Sequence, residues 1–314
     1  MSGSYDSLSG KSDGQTLHAD HASVFYQLPV LPRRLPIVFW HGNWQSSRCW
    51  QSTPDGREGF QSLFLRRGYG VYLLDQPRRG HAGRTSIGTV IEVLHDEQRW
   101  FETFRLGHWP GFFDNVQFSK NPEALEQFFR LMLPNTGPFD LDLAVGATSA
   151  LFDRLEAGIL MTHSHSGGLG WLTAMKNPGV RGIIAIEPAL NFVFPVGDAP
   201  EPITVGNARF ESTAVTPEEF RALTRIPILV IYGDNIPDER ADNPYQDRWR
   251  IWLQLAKKWR DVVNRAGGHV TLVHLPKHGI TGNTHFPFSD INNAEVASLI
   301  ATFLETNGLS GRDS

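Results

Sequence analysis

Cysteine is almost missing from this sequence. Cys49 stands alone among 314 residues, which excludes an intrachain disulfide and any site built from several thiolates. No run of about eighteen apolar residues occurs, so no segment has the length of a membrane-crossing helix. Met1 to Gly14 is rich in Ser, Gly and Asp and lacks the basic start and apolar stretch of a secretory signal. With the lone cysteine, this leads to the expectation of a cytoplasmic protein without a membrane partner. No long run of Lys and Arg appears either, and 29 basic against 33 acidic residues give a formal net charge of -4. A general electrostatic grip on nucleic acid is therefore not expected. What is present is an ordinary globular balance, 40% hydrophobic and 20% charged, enough to build a substantial core.

Short apolar runs rich in β-branched residues predict buried parallel strands at Ile37 to Trp40, Gly70 to Leu74, Gly158 to Thr162, Gly182 to Ile186, Ile226 to Tyr232 and Val270 to Leu275. Helical periodicity falls between them. Phe60, Leu63 and Phe64 precede a glycine stop at Gly68, Asn121-Pro122 opens a helix through Leu125, Phe128, Phe129 and Met132, and Thr216-Pro217 with Glu219 forms a capping box. Trp249, Trp252, Ala256, Trp259 and Val263 share one face of a long helix ending at Gly267-Gly268, and a last helix carries Val296, Leu299, Ile300 and Phe303. Alternating strands and helices imply an α/β fold, a mostly parallel central sheet flanked by helices. Two stretches, about 85–150 and 190–225, fit the alternation badly. Insertions of that length suit lids, so they are expected as cap segments of one domain spanning 17–308, with flexible ends at 1–16 and 309–314.

The chemistry concentrates where a strand gives way to a helix, at Ser164-His165-Ser166-Gly167-Gly168. A sharp strand-to-helix turn holding an exposed serine needs small neighbours, since larger side chains would strike the adjoining strand and helix. Ser166, followed by two glycines, is the expected nucleophile, and Ser164 is its rival. His163 and His165 are expected to pack or hydrogen-bond rather than act as bases or metal ligands, no further ligand lying nearby. No metal or cofactor is expected. His41-Gly42-Asn43 follows the strand Ile37 to Trp40, and in this arrangement that loop and the residue after the nucleophile donate backbone NH groups to a developing oxyanion. Asn43 and Gly167 are the expected donors. A base belongs in the loop before the last helix, where His285 and His278 both lie, His285 closer to that helix. Two carboxylates at strand ends, Glu187 and Asp234, could orient it.

These residues carry a resemblance. His41-Gly42, Thr53-Pro54-Asp55-Gly56-Arg57, Gly68-Tyr69, Asp75-Gln76, Arg79-Gly80, Ser164-His165-Ser166-Gly167, Gly282-Asn283-Thr284-His285 and Asp290-Ile291-Asn292-Asn293 resemble an atypical group of α/β-hydrolase serine esterases, bacterial with fungal relatives. The resemblance spans most of the chain and is weakest in the two cap segments. It implies the α/β-hydrolase fold, the glutamate after the sixth strand of that fold as acid, which maps onto Glu187, and the Gly-Asn-Thr/Ser-His histidine as base, which maps onto His285. One secreted member of the group has paired cysteines after His-Gly where this chain has Asn43-Trp44. On resemblance alone a homodimer is an arrangement open to the chain.

The expected function is hydrolysis of small-molecule carboxylic esters through an acyl-enzyme on Ser166, with His285 and Glu187 completing the triad. Aromatic residues at Trp44, Trp109, Phe112, Phe113, Phe192, Phe194 and Phe286 lead to an expectation of apolar or aromatic substrates. A lactone, thioester or carbon-carbon bond cleaved by the same triad is the alternative, as is a ligand-binding relative without catalysis.

Overall fold

The computed structural model describes residues 5–7, 16–205 and 208–312. Seven strands form the central sheet: β1 (Ser23–Gln27), β2 (Ile37–Trp40), β3 (Val71–Asp75), β4 (Gly158–His163), β5 (Val180–Ile186), β6 (Pro227–Tyr232) and β7 (His269–His274). Their spatial order is β7-β6-β5-β4-β2-β3-β1. All neighbours run parallel except β1, which pairs antiparallel with β3 at the edge. The six strands expected from apolar runs are all here, and they are continuous in hydrophobicity because helices bury both faces. The edge strand was not expected. Ser-Val-Phe-Tyr-Gln is partly exposed, and its Tyr26 stacks on Tyr72 directly across the ladder at 5.2 Å.

Among the described residues eight α-helices surround the sheet: α1 (Phe60–Arg66), α2 (Glu97–Thr103), α3 (Pro122–Arg130), α4 (Leu141–Leu155), α5 (Ser166–Lys176), α6 (Pro217–Phe220), α7 (Pro244–Arg265) and α8 (Asn293–Thr306). Local chemistry sets several ends. Gly68 takes a φ of +86° just past α1, the Asn121 side chain accepts from the Glu123 amide at the start of α3, and Thr216 with Glu219 makes a full capping box on α6. Two apolar clusters lie on opposite faces of the sheet. One joins Phe39, Trp50, Phe60, Phe64 and Ile300 under α1 and α8, and the other joins Trp40, Phe152, Trp171, Trp252 and Trp259 under α4, α5 and α7.

Helix α4 begins inside the stretch read as a cap and runs past its end. Its small buried residues Ala144, Ala147, Thr148 and Ser149 pack toward α5, and Asp140 caps it through the Leu143 amide. The expected flexible start, 1–16, lies largely outside the described residues, although Tyr5–Ser7 pairs with Thr16–His18. At the other end Leu309 is buried, and Asp313 and Ser314 lie outside the described residues. No helix among the described residues is long and apolar enough to cross a membrane.

Candidate active site

The carboxyl ends of β2, β4, β5 and β6, with the loop after β7, converge at one edge of the sheet. The turn after β4 is the sharpest point. Ser164 has a φ of +55°, a conformation that costs a non-glycine residue about 1–3 kcal/mol and persists only where its surroundings enforce it. They do so here. The Ser164 amide donates to Ile186 O at 3.0 Å, and its carbonyl accepts from the amides of Gly167 at 3.0 Å and Ala189 at 3.1 Å.

This geometry corrects the expected nucleophile. Ser166 is the first residue of α5, fully buried, and its Oγ accepts from the His163 amide at 2.9 Å while its proton is shared between Trp40 O at 2.9 Å and His163 O at 3.0 Å. It ties the ends of β2 and β4 together and does not line the cleft. Ser164 does, alongside His285. The small residues flanking the turn are Thr162 and Ser166, two positions either side of Ser164. Gly167 and Gly168 are small for another reason: a Cβ on either would lie 2.6 Å from Pro188 Cβ or 2.5 Å from Asn191 Cβ, so they let the first turn of α5 approach the loop after β5. The expected donor Gly167 is corrected with it, because its amide is bound to Ser164 O. The residue after Ser164 is His165. The amides of Asn43 and His165 have no acceptor among the described residues.

His285 is held from every side. Its Nδ1 lies 3.0 Å from Glu187 Oε2, and since a carboxylate only accepts, Nδ1 carries the proton and Nε2 is left bare. Phe104 stacks on the ring at 5.2 Å and Trp249 packs against it at 4.2 Å, while the His285 amide donates to Phe104 O at 2.9 Å. His163 donates Nε2–H to His285 O at 2.9 Å. Burial first, and the nearby Arg105 charge second, hold the His285 imidazole well below the usual histidine value. Burial likewise lowers His163 well below it, and His165 to about 4.

Glu187, also at positive φ (+51°) and fully buried, faces His285 with one oxygen. The other accepts from the Gly233 amide and from Arg105 at 2.5 Å. Arg105 was missed by sequence reasoning. It follows α2 in a stretch without motif, is fully buried, and donates Nε–H to Asp234 O at 2.8 Å with its guanidinium 4.8 Å from the Trp249 ring centre. Asp234, the alternative acid, has its carboxylate occupied by Gly282 N at 2.7 Å, Asn115 at 3.1 Å and Asn235 N at 2.7 Å, so it braces the loop that carries His285 and does not touch the imidazole. His278, the alternative base, is exposed at the end of a short turn after β7 and is not among the cleft residues.

The motif residues away from the cleft support it. Asp290 accepts from Thr284 N at 2.7 Å, Thr284 Oγ1 at 2.8 Å and Asn283 Nδ2 at 3.1 Å, fixing the two residues before His285. Burial pushes its carboxyl up to about 7. Arg57, paired with Asp55 at 2.8 Å, donates to the carbonyls of Ser289, Asp290 and Ile291. Arg79 does the same for the other side, reaching Gln45 O at 3.2 Å and Asn43 Oδ1 at 3.3 Å. Gly42 leaves room for His163, whose Nδ1 would lie 2.7 Å from a Cβ there.

The cleft has a volume of about 210 Å³ and is walled by Trp100, Phe104, Phe210, Trp249, Trp252 and Phe286. Of the aromatics expected at the rim only Phe286 is among the lining residues. Phe192 and Phe194 are core, Phe112 and Phe113 pack against the core, Trp44 rests on Trp100, and Trp109 is largely exposed. Among the described residues no group of three or more His, Cys, Asp or Glu is placed to hold a metal ion.

A family model described as the alpha/beta hydrolase family matches residues 37–276, which include the serine turn, Glu187 and both loops around them. The chain belongs to the α/β hydrolase family. A solved structure described as that of a novel bacterial esterase superposes with a TM-score of 0.78 at 29% identity, covering 97% of this chain and 93% of that one. A probable secreted lipase phiG of Fungal sp. (strain ATCC 74256) is 27% identical over 338 residues, covering 95% of this chain and 88% of the relative. The secreted relative overturns the expected cytoplasmic placement. A single buried cysteine shows only that this α/β hydrolase core needs no disulfide, which holds equally on either side of a membrane.

Proposed function

We propose that the protein is a serine carboxylesterase in which Ser164 attacks the carbonyl of a small-molecule ester. The observation that carries this reading is one cleft lined by both Ser164 and His285, with Glu187 bonded to the far side of the imidazole. His285 Nε2 takes the Ser164 proton as Oγ bonds to the carbonyl carbon, and the oxygen charge that develops is received by the amides of Asn43 and His165. Collapse of the tetrahedral intermediate breaks the ester C–O bond, and His285 returns the proton to the departing alcohol. Water, deprotonated by the same nitrogen, then hydrolyses the acyl-enzyme. Glu187 stabilises the imidazolium in both halves.

The esterase and lipase names of the two relatives support the reading. A cap role for parts of the stretches 85–150 and 190–225 is part of it, supported by cleft residues from both: Trp100, Thr103 and Phe104 from the first, Leu190, Arg209 and Phe210 from the second, while α4, Phe192 and Phe194 belong to the core. The residues of the proposed site all come from one chain. A fluorophosphonate probe should label the protein once, with the adduct mapped by peptide sequencing to Ser164. Ser164→Ala should abolish labelling and lower kcat on aryl esters by at least about a thousandfold. Full activity in that variant would overturn the proposal.

A further inference from the structure

The cleft walls contain two guanidinium groups and, among the described residues, no carboxylate. Arg209 already pairs with Glu211. Arg248 does not pair at all: it lies in the second turn of α7, half-buried, with its Nε shielded from solvent and no hydrogen-bond acceptor or ion partner among the described residues. The Tyr245 ring centre lies 5.5 Å from its guanidinium carbon. The nearest acidic residue on the helix, Asp247, is spent on Arg250 at 2.6 Å, and Arg99 above it is paired with Asp96 at 2.7 Å.

A cation withdrawn from water without a counter-ion is costly, and folded proteins ordinarily pair it. Burial, then the like charge of Arg99, hold the Arg248 guanidinium below its ordinary range, though it stays charged near neutrality. The next residue, Trp249, packs on the catalytic imidazole, and Trp252 lines the same wall one turn later. One bound molecule can therefore touch both Ser164 and Arg248.

We infer that Arg248 is the anchor for an anionic group on the substrate, so that the preferred esters carry a carboxylate or phosphate away from the scissile bond. This deepens the esterase reading and rests on it. The planar fork of arginine suits a carboxylate, received through two parallel N–H bonds.

The test compares p-nitrophenyl hemiesters of succinate, glutarate and adipate with the butyrate, valerate and hexanoate esters of matching length, and 4-carboxyphenyl with 4-carbamoylphenyl butyrate. At least one anionic ester should exceed its neutral partner in kcat/KM by about tenfold or more. Arg248→Gln should bring that ratio close to one, and Arg248→Lys should restore part of it. Equal ratios in wild type and Arg248→Gln, or no anionic preference in either series, would overturn the inference, as would an equal loss on both ester types in Arg248→Gln. Binding is read separately on Ser164→Ala protein from tryptophan quenching by monomethyl glutarate, with inorganic phosphate as competitor. Saturable binding that Arg248→Gln abolishes supports the anchor even if the nucleophile proves to be another residue, and competition by phosphate identifies the group as an anion site of wider scope. Absence of saturable binding counts against the anchor while leaving the triad untouched.

Discussion

Ser164 and Ser166 are separated by one residue and by the surroundings of their hydroxyls: one borders a cleft, the other is saturated by backbone groups. Ser166→Ala leaves the His163 amide without an acceptor inside the protein, a loss of about 1–3 kcal/mol. Its urea midpoint should fall accordingly while the folded fraction still reacts with a fluorophosphonate at Ser164; loss of labelling in folded Ser166→Ala protein would return the nucleophile to that position. Arg105 acts one bond further away, through Glu187. Replacing it with Met leaves a buried carboxylate short of a partner and removes the charge that helps keep the imidazole deprotonated. In the proposed mechanism His285 works as the neutral imidazole, so activity should fail as pH falls through its pKa, with an acidic limb below 6.5 in the native protein. In Arg105→Met the limb should move to higher pH, with kcat reduced at its plateau. A limb that stays in place would leave Arg105 with a packing role only.

At the level of elements, the loop bearing His285 is admitted by Gly233. A Cβ at that position would lie 2.7 Å from both Asn283 O and Thr284 O, backbone atoms that cannot swing aside. Gly233→Ala should therefore cost about 1–3 kcal/mol and lower kcat more than it raises KM, because the displaced part carries the proposed base. Preserved kcat would show that the loop has slack. Legibility in the sequence follows the same logic. β2, β5 and β6 were readable because burial on both faces leaves an unbroken apolar run, and α3 and α6 because Asn121 and Thr216 announce their own caps. The edge strand β1 lacks such a run, and α4 hides behind small residues chosen for close contact with α5. Glu187 stood at a strand end and His285 in the loop before the last helix, the two places where the chemistry of the proposed triad would need them. The proposed nucleophile lies two residues before the serine expected from sequence, because the glycines after Ser166 answer to helix packing, a requirement that sequence alone does not separate from the requirements of the turn.

For the molecule as a whole, the buried histidines set the response to acid. His41 and His165 are held at about 4, and His163 and His285 well below the usual value, chiefly by burial. An unfolded chain protonates all four near about 6.5, so their contribution is complete above that pH and is lost as the pH falls, at about 1.4 kcal/mol per pH unit per group. Asp290, held up at about 7, opposes them: its contribution is complete below about 4 and declines as pH rises toward 7. With these four and His274, which burial also lowers, against one carboxyl, the urea midpoint should drop steadily from about pH 6.5 to about pH 5. A flat profile across that window would contradict the burial of these rings. Arg57 meanwhile fastens the segment after His285 from a position 233 residues earlier in the chain. During synthesis, then, nearly the whole polypeptide must leave the ribosome before the imidazole can settle beside its carboxylate. Nascent intermediates lacking that final stretch would be chemically silent, and hydrolysis would begin only once the last helix has docked.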